Sequence, residues 1–223
     1  MSLFKHLRRS SRRVRRTEGG TSLVELVMVI AILGVFLPTA FTAVSSMQKA
    51  ESSTTDRFAA LSDAQILANR LTKDLRAAVA ASPTGAAFVA ADTQEVTFYA
   101  SLGDPNGPVR LRAYISTIPG TSVAAFYEDL TKADTTSTPP NYTYSGTAST
   151  RINGRYLDTS KPIFSYFTAD APNTPLATPV TALSDLRSIE SVGVTFTTRV
   201  TPTSPSTTLT TRVHVRSVDY NPD

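Results

Sequence analysis

Between Leu26 and Gln48 the chain carries no charged residue, a run of 23 positions ending at Lys49. As an α-helix rising about 1.5 Å per residue, the run is roughly 35 Å long, enough to cross the ~30 Å hydrocarbon core of a bilayer. Directly before it lies a basic arm, in which Lys5, Arg8, Arg9, Arg12, Arg13, Arg15 and Arg16 stand against Glu18 alone. Cationic flanks stay on the cytoplasmic side, so the arm predicts an inside N-terminus and an outward-facing C-terminal body. A buried core helix would match the hydrophobicity but has no use for the arginine flank.

The arm also explains the charge of the chain. Its seven basic residues against one acid give residues 1–20 a charge of +6, so a chain of net +4 leaves −2 on the remainder. The pI near 9.5 is therefore a property of the arm and not of the body. With no aromatic residue interleaved among the arginines, nucleic acid is not an expected partner. The chain has no Cys, which excludes disulfides, thiolate metal sites and a Cys nucleophile. A body without bridges must be held by an apolar core of its own.

A basic arm followed by an apolar run fits a secretory signal, a plain membrane anchor or a prepilin leader. Arg12-Arg13 resembles part of a twin-arginine signal, and Ala40-Phe41-Thr42-Ala43 a signal-peptidase site. Glu25 speaks against both. A carboxylate deep in a membrane costs on the order of 2.5–3.5 kcal/mol, less near the edge, and a simple anchor gains nothing from it. An intramembrane acid implies a partner, and an amine is the natural one. A cut between Gly20 and Thr21 would create an N-terminal ammonium on Thr21, four residues before Glu25. That offset brings the carboxylate near its own first turn or within reach of a neighbouring chain's amine.

The stretch Gly20-Thr21-Ser22-Leu23-Val24-Glu25-Leu26 resembles the cleavage box of the type IV prepilin family. Gly34 falls fourteen residues into the mature chain that such a cut would release, where the family has a helix-loosening glycine. Pro38 falls at mature position eighteen, about a turn before the proline of many members, and Thr21 replaces the common Phe or Met. The resemblance implies cleavage by a prepilin peptidase after Gly20, N-methylation of Thr21, and assembly into a filament with other pilin or pseudopilin subunits. Glu25 would then direct subunit assembly, while Gly34 and Pro38 loosen the helix. It also implies residence in the inner (cytoplasmic) membrane before the chain joins a cell-envelope filament.

After Pro38 no Pro or Gly appears until Pro83 and Gly85. In that window Phe58, Leu61, Ala64, Ala68, Leu71, Leu75 and Ala78 recur at spacings of three and four, an apolar stripe on an amphipathic helix. The membrane helix (21–44) is expected to run on into this amphipathic stretch (45–82), from Leu23 to about Ala80. Lys49, Glu51, Asp56, Arg57, Asp63, Arg70, Lys73, Asp74 and Arg76 are read as its solvated faces.

Beyond Pro83 the period changes to two. Val96 to Ala100, Val109 to Ile115, Val192 to Val200 and Leu209 to Val215 alternate as half-buried antiparallel strands, with a shorter candidate from Ile163 to Phe167. The link from Thr201 to Ser206 suggests a hairpin between the last two long strands. Residues 132–150 and 173–179 read as long exposed loops. The expected fold is α+β, a long N-terminal helix packed on an antiparallel β head spanning 83–223, preceded by the leader 1–20.

Within the pilin class the body is similar to a minor pseudopilin of the J type from type II secretion. The match rests on Leu71 to Ala78, Phe164-Ser165-Tyr166-Phe167, and the last third from Leu183 to Arg216.

No catalytic constellation is present: there is no phosphate loop, nucleophile elbow or triad. His6 and His214 lie far apart and make no metal cluster. Glu128-Asp129 is an acidic pair that could bind calcium in a loop, but no ligand spacing follows it. The expected role is that of a structural subunit with no cofactor, not an enzyme. The same residues are compatible with a secretion pseudopilus and with an adhesive, motility or DNA-uptake pilus. The rival reading is an unprocessed membrane-tethered binding module with an outward-facing β head.

Overall fold

The structure, a computed structural model, describes residues 22–199 and 206–215. Its contacts divide the chain into two units, residues 1–50 and 51–223. Helix α1 (Leu23–Arg76) contributes its first half to one unit and its second half to the other. In the second unit follow β1 (Phe88–Ala91), β2 (Glu95–Ala100), β3 (Val109–Thr117), β4 (Ala124–Thr131) and β5 (Ser149–Arg155), then β6 (Phe164–Thr168), α2 (Leu183–Ser188), β7 (Ile189–Thr198) and β8 (Thr207–His214). Strands β1 to β5 form one antiparallel sheet in chain order, and β6 to β8 form a second. The arrangement is α+β, as the change of period from 3.6 to 2 predicts.

The second half of α1 belongs to this core because one stripe of it is apolar. Ala60, Ala64, Leu67, Ala68, Leu71 and Leu75 are buried, and the helix ends at Arg76, a turn earlier than expected. Ala78 then bridges to Ala100 at the end of β2. The stripe differs from the expected one at Phe58, which is 69% exposed. Six residues before Ala64 lies about 120° around the helix at 3.6 residues per turn, off the buried face. Leu67 takes its place, packing over Gly154 of β5 so closely that a Cβ there would collide with its methyl group. Gly154 also has φ +61°, which L side chains rarely adopt.

The two sheets share one buried cluster with the helix. Val96, Phe98, Leu111 and Phe126 of the first sheet meet Phe164, Tyr166, Val192 and Phe196 of the second, with Leu71 and Leu75 among them. Phe126 and Phe196 meet edge-on at 5.5 Å, and the Tyr166 hydroxyl lies 2.9 Å from the Asp92 carbonyl. The alternating residues read as strands are the ones that point inward: Val96, Phe98, Ala100, Leu111, Ala113, Val192, Val194 and Phe196 are all buried. Strands β1, β4 and β5 and helix α2 were not expected. The Thr201–Ser206 link lies outside the described residues except for Ser206, but β7 and β8 pair up to Thr198 opposite Thr207, the register a hairpin needs.

The loop before β5 is tied down by its own polar groups. Asp134 accepts hydrogen bonds from the Thr143 hydroxyl (2.7 Å) and from the amide and hydroxyl of Ser145 (3.0 and 2.9 Å). These donors hold its carboxyl below the usual range. Tyr144 stacks on Tyr99 at 5.0 Å and donates to the Pro108 carbonyl. Ser149 and Thr150, expected in the loop, begin β5.

The corrected stripe makes a prediction. In urea titrations of the full chain in detergent micelles, Leu71→Ala should destabilise the second unit by about 2–5 kcal/mol. Phe58→Ala should stay within about 0.5 kcal/mol of the parent. Equal losses would place Phe58 in the core and contradict this packing.

Candidate functional site

In the first unit every large apolar side chain from Leu23 to Met47 is exposed, on all sides of the helix. This is the one helix among the described residues long and apolar enough to cross a membrane, by length and composition. Its few hydroxyls are turned back on the backbone. Thr39 donates to Phe36 (2.8 Å), Thr42 to Thr39 (2.8 Å), Ser45 to Phe41 (2.7 Å) and Ser46 to Thr42 (2.8 Å). Hydroxyls satisfied within the helix are cheap to place in hydrocarbon.

Glu25 sits in the first turn of this helix. No ion pair or side-chain hydrogen bond of Glu25 is formed among the described residues. The Ser22 carbonyl accepts the Leu26 amide at 3.1 Å, so Ser22 is the N-cap and Glu25 the third helical residue. That Ser-x-x-Glu spacing is the one a capping box uses, which gives Glu25 a local role at the start of the helix. A carboxylate there also meets the positive end of the helix dipole. Gly20 and Thr21, the expected cleavage and methylation positions, lie outside the described residues.

Gly34 and Pro38 converge on one helical step. Proline has no N–H and crowds the carbonyl four residues earlier, which belongs to Gly34. The pair thus places a missing donor and the residue with the weakest helix propensity after proline at the same turn. The helix nevertheless runs through it unbroken. A Cβ on Gly34 would meet nothing within 4 Å, so the glycine is not required by packing in the monomer.

The second unit holds a polar cluster that the sequence did not reveal. Glu128 and Asp129 are consecutive on β4, so their side chains leave opposite faces of the sheet, which removes them as a joint calcium site. No group of His, Cys, Asp or Glu suited to a metal occurs among the described residues. Asp129 faces outward and accepts from Thr150 at 2.6 Å. Glu128 points inward and is 0% exposed, where it meets Arg70 of α1 at 2.9 Å and the Asn153 amide at 2.8 Å. Its Oε1 has no hydrogen-bond partner. Asp74, one turn after Arg70, is also buried at 7% exposure. Arg70 and Asp74 were expected on a solvated face; the helix instead turns them toward β4 and β5, with Arg151 close enough to act on both carboxylates.

Burial pushes both carboxyls up from the usual 3.8 for Asp74 and 4.5 for Glu128, Arg70 opposes the rise, and Asp74 adds to it at Glu128. Two buried acids, one of them ion-paired to Arg70, make a structural joint between helix and sheet. A cleft of about 280 Å³ opens beside Arg70 and Asn153, walled by Ile66, Leu67 and Ile152, and neither buried carboxylate is among its lining residues. Exposed His214 on β8 stands apart from any such cluster.

No family model, curated protein or solved structure matches this chain.

The joint makes a pH prediction. Because the folded pKa values lie above the unfolded ones, the native state holds these protons more tightly. The stability so gained is complete below about pH 4 and is lost as pH rises through the raised values. Asp104, Asp134 and Asp158 have depressed pKa values and act in the opposite sense, losing stability in acid. The difference between the parent and Asp74→Asn/Glu128→Gln isolates the joint: the double variant should gain melting temperature relative to the parent as pH rises. Arg70→Ala should cost about 1–3 kcal/mol near neutrality, by leaving Glu128 buried without its cation. An unchanged pH profile in the double variant would contradict the assignment.

Proposed function

We propose that this chain is a structural subunit of the type IV pilin class, a minor pilin or pseudopilin, and not an enzyme. Its precursor inserts with the arginine arm in the cytoplasm and its β sheets outside. A prepilin peptidase cuts after Gly20, and methylation of the Thr21 amine follows. The mature chain then enters a filament through its N-terminal helix, with other subunits covering the apolar surface from Leu23 to Val44. The filament is a type IV pilus or a type II secretion pseudopilus.

One observation carries this reading: an acid, Glu25, stands at the start of an all-round apolar helix with no partner among the described residues. In hydrocarbon an unpaired carboxylate is costly, and a neighbour's N-terminal ammonium relieves that cost only when the two helices are in register. The same residue therefore drives insertion and sets the stagger of subunits.

The Ser22–Glu25 spacing supports a second role for Glu25, as a helix cap, and the two roles separate experimentally. Gln serves a capping box as well as Glu but carries no charge. Glu25→Ala and Glu25→Gln should both be cleaved, and both should enter filaments at least about tenfold less than the parent, the effect of losing about 1.4 kcal/mol of pairing. Immunoblots of sheared filament and membrane fractions read this directly. Normal incorporation of Glu25→Gln beside failure of Glu25→Ala would reduce Glu25 to a cap and sink the pairing account.

A further inference from the structure

The outward face of the second sheet carries an arginine held in one orientation without a counter-charge. Strand β8 places Thr210, Arg212 and His214 opposite Thr195, Gly193 and Ser191 of β7. Arg212 reaches across β7, and its guanidinium lies 3.9 Å from the centre of the Phe167 ring on β6. Its Nε and Nη2 donate to the Ser191 hydroxyl at 2.9 and 2.8 Å. Gly193 lies between them, where a Cβ would collide with the Ser165 hydroxyl and come within 3.3 Å of the Phe167 ring. Stacking and hydrogen bonding therefore fix the plane of the guanidinium, while Nη1 makes no hydrogen bond among the described residues. The one acid of β6, β7 and β8 among the described residues is Glu190, exposed near the start of β7 on the opposite side of the strand from Ser191 and Gly193, and it forms no ion pair with Arg212.

Ser165 also lines a cleft of about 270 Å³ on the same face. Pro162, Ile163 and Phe164 give it apolar walls, Thr195 and Thr197 add hydroxyls, and Lys161 brings a second cation. Cleft and arginine are thus contiguous through Ser165 and Gly193.

We infer that this face binds an acidic, extended segment of a partner protein, a carboxylate on the free edge of Arg212 and an apolar side chain in the cleft. A guanidinium already stripped of rotamer freedom binds a carboxylate with less ordering cost, and its planar fork selects carboxylate over other acceptors. An acidic polysaccharide would share the carboxylate but would want an open aromatic face for its rings. The face of Phe167 is already taken by Arg212. The inference does not depend on cleavage at Gly20 or on filament assembly.

The test uses the full chain in detergent micelles and a fluorescein-labelled, end-blocked peptide of alternating Glu and Leu, read by anisotropy. The peptide should bind and weaken with added salt. Its Gln-for-Glu counterpart should bind at least about tenfold less tightly, a comparison that leaves the protein untouched. Arg212→Gln should show a similar loss, and Arg212→Lys should fail to rescue it, because lysine keeps the charge but not the stacked fork. Lys161→Gln should weaken binding to a smaller extent. Equal binding of the Glu and Gln peptides, undiminished binding by both Arg212 variants, no binding at all, or preference for polygalacturonate over the peptide would each overturn the inference.

Discussion

A helix with leucine, isoleucine, valine and phenylalanine on every side has no stable place in water. From Leu23 to Met47 each such side chain is exposed. Each would gain about 1.5–3 kcal/mol on burial, so the segment leaves on the order of tens of kcal/mol to be recovered from outside its own fold. On the proposed reading, lipid and neighbouring helices supply it. The back-bonded hydroxyls of Thr39, Thr42, Ser45 and Ser46 suit either. Glu25 does not suit lipid alone, and that mismatch gives the segment a direction. On the proposed reading the bilayer stores the subunit and the filament, by offering an ammonium as well as apolar surface, is the better solvent.

The second unit solves its burial problem internally. Its part of α1 closes a core with both sheets, through alanines that allow close approach and leucines that fill it. The joint of Arg70, Asp74, Glu128 and Asn153 is the exception within that apolar contact. Buried ion pairs rarely add net stability over a hydrophobic substitute. What they do add is a requirement for one rotational and axial setting of the helix against β4, since a slip of one residue would bury Glu128 without its cation.

Much of the fold can be read from the sequence where periodicity is clean. The change from a three-and-four spacing to strict alternation after Pro83 marks the helix, and β2, β3, β7 and β8 follow from their alternating apolar residues. Strands β1, β4 and β5 were missed for identifiable reasons. Phe88–Ala91 is short and half alanine, and β5 is a polar edge strand with no apolar face to give it a period. In β4 the inward position after Phe126 is Glu128, so the pattern breaks where the structure buries a charge. The same residue hid the polar joint, because an acidic pair in a sequence cannot announce that one of its members faces Arg70, fifty-eight positions earlier. Arg212 was hidden in the same way, by a stacking partner on a different strand. Of the candidate site, Glu25 stands out in the sequence as an acid at the edge of the apolar run, while Gly34 and Pro38 come only from the resemblance to type IV prepilins. What the structure adds is geometry, with Glu25 at the third helical position and Gly34 as the carbonyl that Pro38 leaves without a donor.

The central claim is that the chain's apolar helix begins, in its mature form, at an amine created by cleavage after Gly20. The intact mass and N-terminal sequence of the protein extracted from the membranes of its native host test this most directly. The account predicts a chain starting at Thr21, with or without one methyl group. A chain that retains Met1 or Ser2, in a host whose prepilin peptidase is active, would contradict it. The apolar helix would then be a permanent tether, and Glu25 would have no amine to meet.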